Sequence, residues 1–171
     1  METKFTPWRM RYIKRGDTPQ DGGCVLCAIG TAEPAHDAAH LVLYRGAHCF
    51  VVLNLYPYNT AHLMVVPFAH TADLPGMEAA AAQELFELTR QSVALLEQEY
   101  RPQGFNLGMN LGQTAGAGIA EHLHMHVVPR WNGDTNFMPV VGGTKLIPEE
   151  LDVTYGRLRP AFDRLEGASA R

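Results

Sequence analysis

Apolar residues recur along this chain in two rhythms, and the change of rhythm marks its elements. Leu41 to Tyr44 and His48 to Leu53 (HCFVVL) are apolar runs on either side of a turn at Arg45–Gly46, which predicts a β-hairpin. His62 to Pro67 (HLMVVP) predicts a third strand, after a loop at 56–60 that Pro57 closes. From Glu78 to Tyr100 the rhythm turns helical, with Leu85, Leu88, Ser92, Leu95 and Leu96 on one side, until Arg101–Pro102 ends it. Phe105 to Asn110 and His122 to Arg130 predict two further strands joined by a glycine-rich loop. Pro148 onward predicts a terminal helix, with the proline near its first turn. Hairpin strands, then a helix, then more strands favour an α+β domain with an antiparallel sheet over a doubly wound fold.

The polar stretch GDTPQDGG at 16–23 divides a short arm (1–23) from a core (24–136), and 137–171 forms a C-terminal extension of the same domain. The arm, aromatic and basic, reads as an edge or subunit contact, with Trp8 and Arg9 as its candidates for touching a ligand. At 171 residues the chain can bury its own core. Its net charge of −4 and lack of a basic run argue against holding a nucleic-acid duplex by its phosphates. No apolar stretch approaches the ~20 residues of a membrane span. The first 15 residues lack the apolar centre of a secretory signal. Three cysteines make no full disulfide framework, so a cytoplasmic setting is expected. The unusual count is eight histidines.

His122, His124 and His126 alternate with Leu123, Met125 and Val127. On an extended strand the three imidazoles share one face, roughly 7 Å apart, and the apolar residues take the other. Strict alternation of this kind is hard to explain as structural histidine. A three-histidine metal site is the rival reading. A straight strand spreads the ring nitrogens too far to reach one ion at ~2.1 Å, so nucleophilic or acid–base chemistry fits better. Gly108, Gly112, Gly116 and Gly118 just upstream would let backbone N–H groups approach an anion. A phosphate beside an imidazole nucleophile follows from the two together. No dinucleotide-cofactor fingerprint is present, and no organic cofactor is expected. Cys24-Val-Leu-Cys27 has the spacing of two zinc thiolates, which leaves two ligands to find among the histidines. Free thiols and a redox pair are its alternatives. Cys49 reads as a small buried hydrophobe, and His36, His40 and His48 as surface or loop residues.

His122-Leu-His-Met-His126-Val-Val resembles the signature of the histidine-triad (HIT) superfamily of nucleotide hydrolases and transferases. The likeness runs from about Cys24 to Arg130. The strings NLYPYN (54–59), HLMVVP (62–67), AEHLHMHVVPRW (120–131) and GDTNF (133–137) look like its bacterial diadenosine tetraphosphate phosphorylase branch. The resemblance implies a five-stranded antiparallel sheet with helices, dimerising into a continuous sheet. It makes His124 the nucleophile that becomes nucleotidylated and His126 a catalytic contact to phosphate oxygens. It places His62, Asn110, Gly116 and Gly118 at the phosphate and Asn54 at the ribose. It also implies a structural zinc on Cys24, Cys27, His70 and His122.

One departure stands out. At Gly118, four residues before the triad, hydrolases of the superfamily carry Gln and phosphoramidases Ser. The missing side chain leaves room for a larger acceptor than water, namely inorganic phosphate. The resemblance to the phosphorylase branch implies phosphorolysis of diadenosine tetraphosphate to ATP and ADP, and the room at Gly118 fits it. That split reads as attack one phosphorus beyond the α position, or as a nucleotide shifted in its site. Hydrolysis of dinucleoside polyphosphates or of phosphoramidates is the enzymatic alternative. A slow nucleotide-binding regulator and a zinc-dependent interaction module are the others. Asn136, Thr144 and Lys145 are candidates for added specificity, Lys145 toward a distal phosphate.

Overall fold

The computed structural model describes residues 23–134 and 149–169. A short helix α1 (Val25–Thr31) leads through a 3-10 turn (Pro34–His36) and one turn of helix, α2 (Asp37–His40), to the hairpin β1 (Val42–Arg45) and β2 (Cys49–Leu53). Then come β3 (Leu63–Pro67), the long helix α3 (Ala79–Tyr100), β4 (Gly104–Gly108), a 3-10 turn (Gln113–Ala115), β5 (Met125–Arg130) and α4 (Leu151–Ser169). The sheet has five strands in the order β1-β2-β3-β5-β4, every neighbour antiparallel. The α+β expectation holds. The terminal helix is the second long one, at 19 residues against 22 for α3.

Alternation along the strands builds two cores of unequal size. Cys49, Val51, Leu53, Leu63, Val65 and Val127 point to the face covered by α3 and α4, where Leu85, Leu88, Leu95, Leu96, Leu158, Ala161 and Phe162 meet them. The expected stripe on α3 is buried along its length. Arg101 caps that helix in the left-handed region, at φ 49°. The other face carries a smaller cluster: Val42, Phe50, Val52 and Val66 under Leu26 of α1. Cys49 is fully buried, with its thiol pushed up to about 12 by burial first and by Glu84 second. It is the small hydrophobe that the sequence suggests.

Polar ties fix the hairpin to its surroundings. The Glu84 carboxylate on α3 accepts the N–H groups of Ala47, His48 and Cys49 at 2.9, 2.5 and 2.7 Å. Arg45 donates to the Gly30 and Ile29 carbonyls at the end of α1 and pairs with Asp37 at 2.8 Å. Arg159 of α4 reaches the same Asp37 at 3.4 Å.

The structure corrects one expected strand. The strand predicted from His122 starts at Met125, so His122 and His124 lie ahead of it. β5 pairs with β3 only as far as Met125↔Val65. Beyond that, Leu123 N–H donates to the Thr71 carbonyl at 2.8 Å, and the Pro67 carbonyl is engaged by the His122 ring at 2.8 Å. Pro67 has no N–H to offer, so the ladder ends there. Trp8 and Arg9 in the arm, and Asn136, Thr144, Lys145 and Pro148, lie outside the described residues.

Candidate active site and metal centre

The register of β3, β5 and β4 sets the site. Met64, His126 and Gly108 sit side by side across these three strands and so share one face. It is the face that α1 covers at its other end. A Cβ on Gly108 would meet nothing within 4 Å, so the sheet beside His126 is open.

The hydrogen bonds assign the ring tautomers. His124 Nδ1 lies 2.8 Å from the His122 carbonyl, which can only accept. The proton is therefore on Nδ1, and Nε2 of His124 keeps its lone pair. His62 Nδ1 accepts the Tyr58 N–H at 3.0 Å, so His62 carries its proton on Nε2. That nitrogen is 3.0 Å from His126 Nδ1 and donates to it. His126 must then hold its own proton on Nε2, which is buried and has no partner among the described residues. Burial first, and His124 second, push the His126 pKa down to about 4, so the ring is neutral near pH 7. The rings of His124 and His126 meet edge to face at 4.9 Å, closer than a flat strand allows. The Tyr58 ring stacks on His62 at 4.9 Å.

His122 turns elsewhere. Its Nδ1 is 3.3 Å from Cys24 Sγ and 3.5 Å from Cys27 Sγ, and Cys27 Sγ is 3.2 Å from His70 Nδ1. One ligand atom from each of Cys24, Cys27, His70 and His122 falls within 4.8 Å of every other. A tetrahedral zinc with ~2.3 Å Zn–S and ~2.0 Å Zn–N bonds sets sulfur–nitrogen edges of about 3.6 Å, so the donor set and its spacing fit the ion. His122 Nε2 donates to the Pro67 carbonyl, which aims Nδ1 at the thiols. Burial lowers the His122 pKa, and burial and the neighbouring Cys24 raise that of Cys27. A cation would offset this crowding of two thiols by taking both as thiolates.

The other expected residues are placed as follows. Asn54, half-buried at the end of β2, accepts the Tyr56 N–H at 2.8 Å through Oδ1 and sets its amide nitrogen 3.4 Å from His62 Nε2. Asn110 lies two residues past β4 and is half-buried. Gly112 and Gly116 need glycine, with φ of 80° and 86°. Cβ atoms built on Gly116 or Gly118 meet nothing within 4 Å. His36 and His40 are exposed with ring centroids 6.4 Å apart, and His48 is half-buried at the hairpin turn. The Tyr58 N–H, Asn59, Arg130 and Asp134 escape a sequence reading. A backbone donor has no residue type to betray it, and Arg130 with Asp134 reads only as a surface pair four apart.

The HIT domain family matches residues 36–133. The AP-4-A phosphorylase of Mycobacterium tuberculosis is 40% identical over 173 aligned positions, covering 96% of this chain and 86% of that protein. Among solved structures, a zinc-bound histidine triad family protein from Mycobacterium smegmatis superposes with a TM-score of 0.66 at 25% identity, over 85% of this chain and 97% of that one. A hypothetical histidine triad nucleotide-binding protein from Sulfolobus tokodaii gives 0.65 at 22% identity, over 84% and 94%. No helix among the described residues is long and apolar enough to cross a membrane. With the family matched over more than half of the chain, and a relative 40% identical over nearly all of it, this chain is a member of the HIT family.

Proposed function

We propose that this chain is an enzyme that transfers a nucleotidyl group from dinucleoside polyphosphates through a covalent intermediate on His124, acting as a diadenosine tetraphosphate phosphorylase that yields ATP and ADP. The observation that carries the reading is the pair of tautomers: a bare Nε2 on His124 and a buried N–H on His126, two residues apart. The first offers a ring lone pair as nucleophile, and the second is a donor for a non-bridging phosphate oxygen. The mycobacterial AP-4-A phosphorylase supports the substrate and the choice of phosphorolysis.

His124 Nε2 attacks the α-phosphorus. The bond from that phosphorus to its bridging oxygen breaks, and ATP leaves with the electron pair. AMP stays on the ring through an N–P bond, and the Nδ1–H on the His122 carbonyl stabilises the positive ring. An oxygen of inorganic phosphate then attacks the same phosphorus, the N–P bond returns its electrons to Nε2, and ADP leaves. Attack at the α position thus yields both products, and neither a second phosphorus nor a shifted nucleotide is required. Open space at Gly118 suits a phosphate acceptor. Asn54, through its amide nitrogen, Asn110 and Gly116 complete the substrate contacts, and His62, whose two ring nitrogens are both engaged, acts on the phosphate through His126.

Cys24, Cys27, His70 and His122 would hold zinc in a closed four-ligand site. Zinc there supplies structure rather than reaction chemistry. His122 would serve it through the ring while orienting His124 through the backbone carbonyl. The homodimer that the family resemblance implies would extend the sheet from an edge, and β4 is an edge strand.

The test is a product assay with diadenosine tetraphosphate and radiolabelled inorganic phosphate. Label in ADP and none in ATP is the expected result. Label in ATP would move the attack to the β-phosphorus. Turnover without phosphate would make the chain a hydrolase and overturn the reading of Gly118, and no turnover in either condition would sink the proposal.

A further inference from the structure

The chain of hydrogen bonds from Tyr58 through His62 to His126 begins at a backbone amide on a loop, and two side chains outside that chain hold the loop down. Asn59, the next residue, donates through Nδ2 to the Pro129 carbonyl at 3.0 Å and to Asp134 Oδ2 at 2.7 Å. Asp134 also accepts Arg130 Nε and Nη2 at 2.7 and 2.8 Å and the Trp131 N–H at 3.0 Å. Arg130 Nη1 reaches Asn106 Oδ1 on β4 at 2.6 Å. The Asp134 carboxylate, 10% exposed, is therefore the hub where the loop, the end of β5 and β4 are joined. The loop has reason to need it. Ala61, just before His62, sits at φ 57°, a left-handed backbone that a residue with a Cβ disfavours.

We propose that Asn59 and Asp134 are positioning residues for His126: by pinning the loop they keep the Tyr58 N–H on His62, and so select which ring nitrogen of His126 presents a proton to the phosphate. The inference rests on the reading of His124 and His126 as a phosphate site. A neutral imidazole has one N–H, and its two tautomers are close in energy unless a partner separates them. With the Tyr58 amide withdrawn, His62 can move its proton to Nδ1 and donate nothing to His126. His126 then places its proton on either nitrogen. In the wrong form a lone pair on Nε2 faces the phosphate oxygens, and a donor becomes a repulsion. Burial keeps His126 neutral, so a second proton does not rescue it.

Ring nitrogen NMR of 15N-histidine-labelled protein separates protonated from bare nitrogens and needs no substrate. In the wild type, His126 should show a protonated Nε2 and a bare Nδ1. Asn59→Ala should populate the second tautomer. Its kcat on diadenosine tetraphosphate should fall by about ten-fold with KM nearly unchanged, as for lost orientation of a contact used in the transition state. Asn59→Ser, which keeps one donor, should recover part of both. Leu158→Ala, a core truncation in α4, should lower Tm and leave the ring resonances where they were. Unchanged His126 resonances in Asn59→Ala overturn the proposal whatever happens to kcat, and so does the same shift in Leu158→Ala. A wild type that shows the expected tautomers but turns over no dinucleotide refutes the phosphorylase reading and leaves the clamp standing.

Discussion

His124 and His126 are the same residue two positions apart, and the proposed mechanism gives them different roles because of what touches Nδ1. A carbonyl that can only accept leaves His124 bare at Nε2, and a ring that donates leaves His126 protonated there. His124→Ala should therefore cost at least about 10³-fold in turnover, since the proposed nucleophile is gone. Quenching the wild type during turnover in alkaline denaturant, which spares the acid-labile N–P bond, followed by mass spectrometry at neutral to basic pH, should find AMP on His124, and none on the variant. His126 also makes stability depend on pH. A histidine in the unfolded chain titrates near 6.5 and His126 in the folded protein at about 4. Between those values the unfolded state binds a proton that the folded state does not, so folding is favoured less as pH falls from 6.5 toward 4. Urea midpoints at pH 7.5 and 5.0 should show that loss, and His126→Gln should lose less over the same interval.

At the scale of elements, a metal held by the four-ligand cluster would join pieces that propensity alone does not hold together. Cys24 and Cys27 come from the start of α1, His70 from the segment after β3, and His122 from the approach to β5. Cys27→Ser should abolish stoichiometric zinc in metal analysis of the purified protein and lower its Tm. Phe162 is fully buried on α4 against the larger core, so Phe162→Ala should cost about 3–5 kcal/mol in urea unfolding. Both long helices and the strands were legible as sequence, the helices through their apolar stripes and β1, β2 and β3 through runs rich in buried apolar residues, whereas β4 buries none of its five residues fully. Strand β5 was legible only in part. Its alternation runs on through His122, yet pairing stops at Met125, where long-range partners at Pro67 and Thr71 take the backbone and the ring. Local pattern cannot foresee that competition. The same limit applies to the site. The triad and the cysteine pair are residue types at fixed spacing and can be read directly. The Tyr58 amide, and the Asn59–Asp134 contact across 75 positions, exist only once the chain is folded.

Across the whole molecule, the sheet is covered unequally, and that imbalance bears on how the protein comes apart. One face is closed by two long helices over a large core that reaches all five strands, through Leu43, Val51, Val65 and Val127 and the half-buried Phe105. The other face has four buried residues under Leu26 of a seven-residue helix, and the proposed active site occupies the remainder. A helix that short is not stable alone in water. Leu26 is its one buried residue, so the hydrophobic term holding α1 is small. Arg45 on its last carbonyls adds to it, and a metal on its two cysteines would add more. Removing the metal should therefore open this side before the large core yields. Hydrogen exchange followed by mass spectrometry, with and without a chelator, measures the order. The expected result is lost protection at 25–31 and around 122–125, with α3 and β2 unchanged, because opening energies follow local burial rather than the global stability. Uniform loss across α3 and the sheet would instead make the molecule one cooperative unit in which the metal holds both cores. Since His122 lies in the segment expected to open, and its carbonyl fixes the tautomer of His124, the first outcome also predicts that chelation silences the nucleophile in a protein that is otherwise folded.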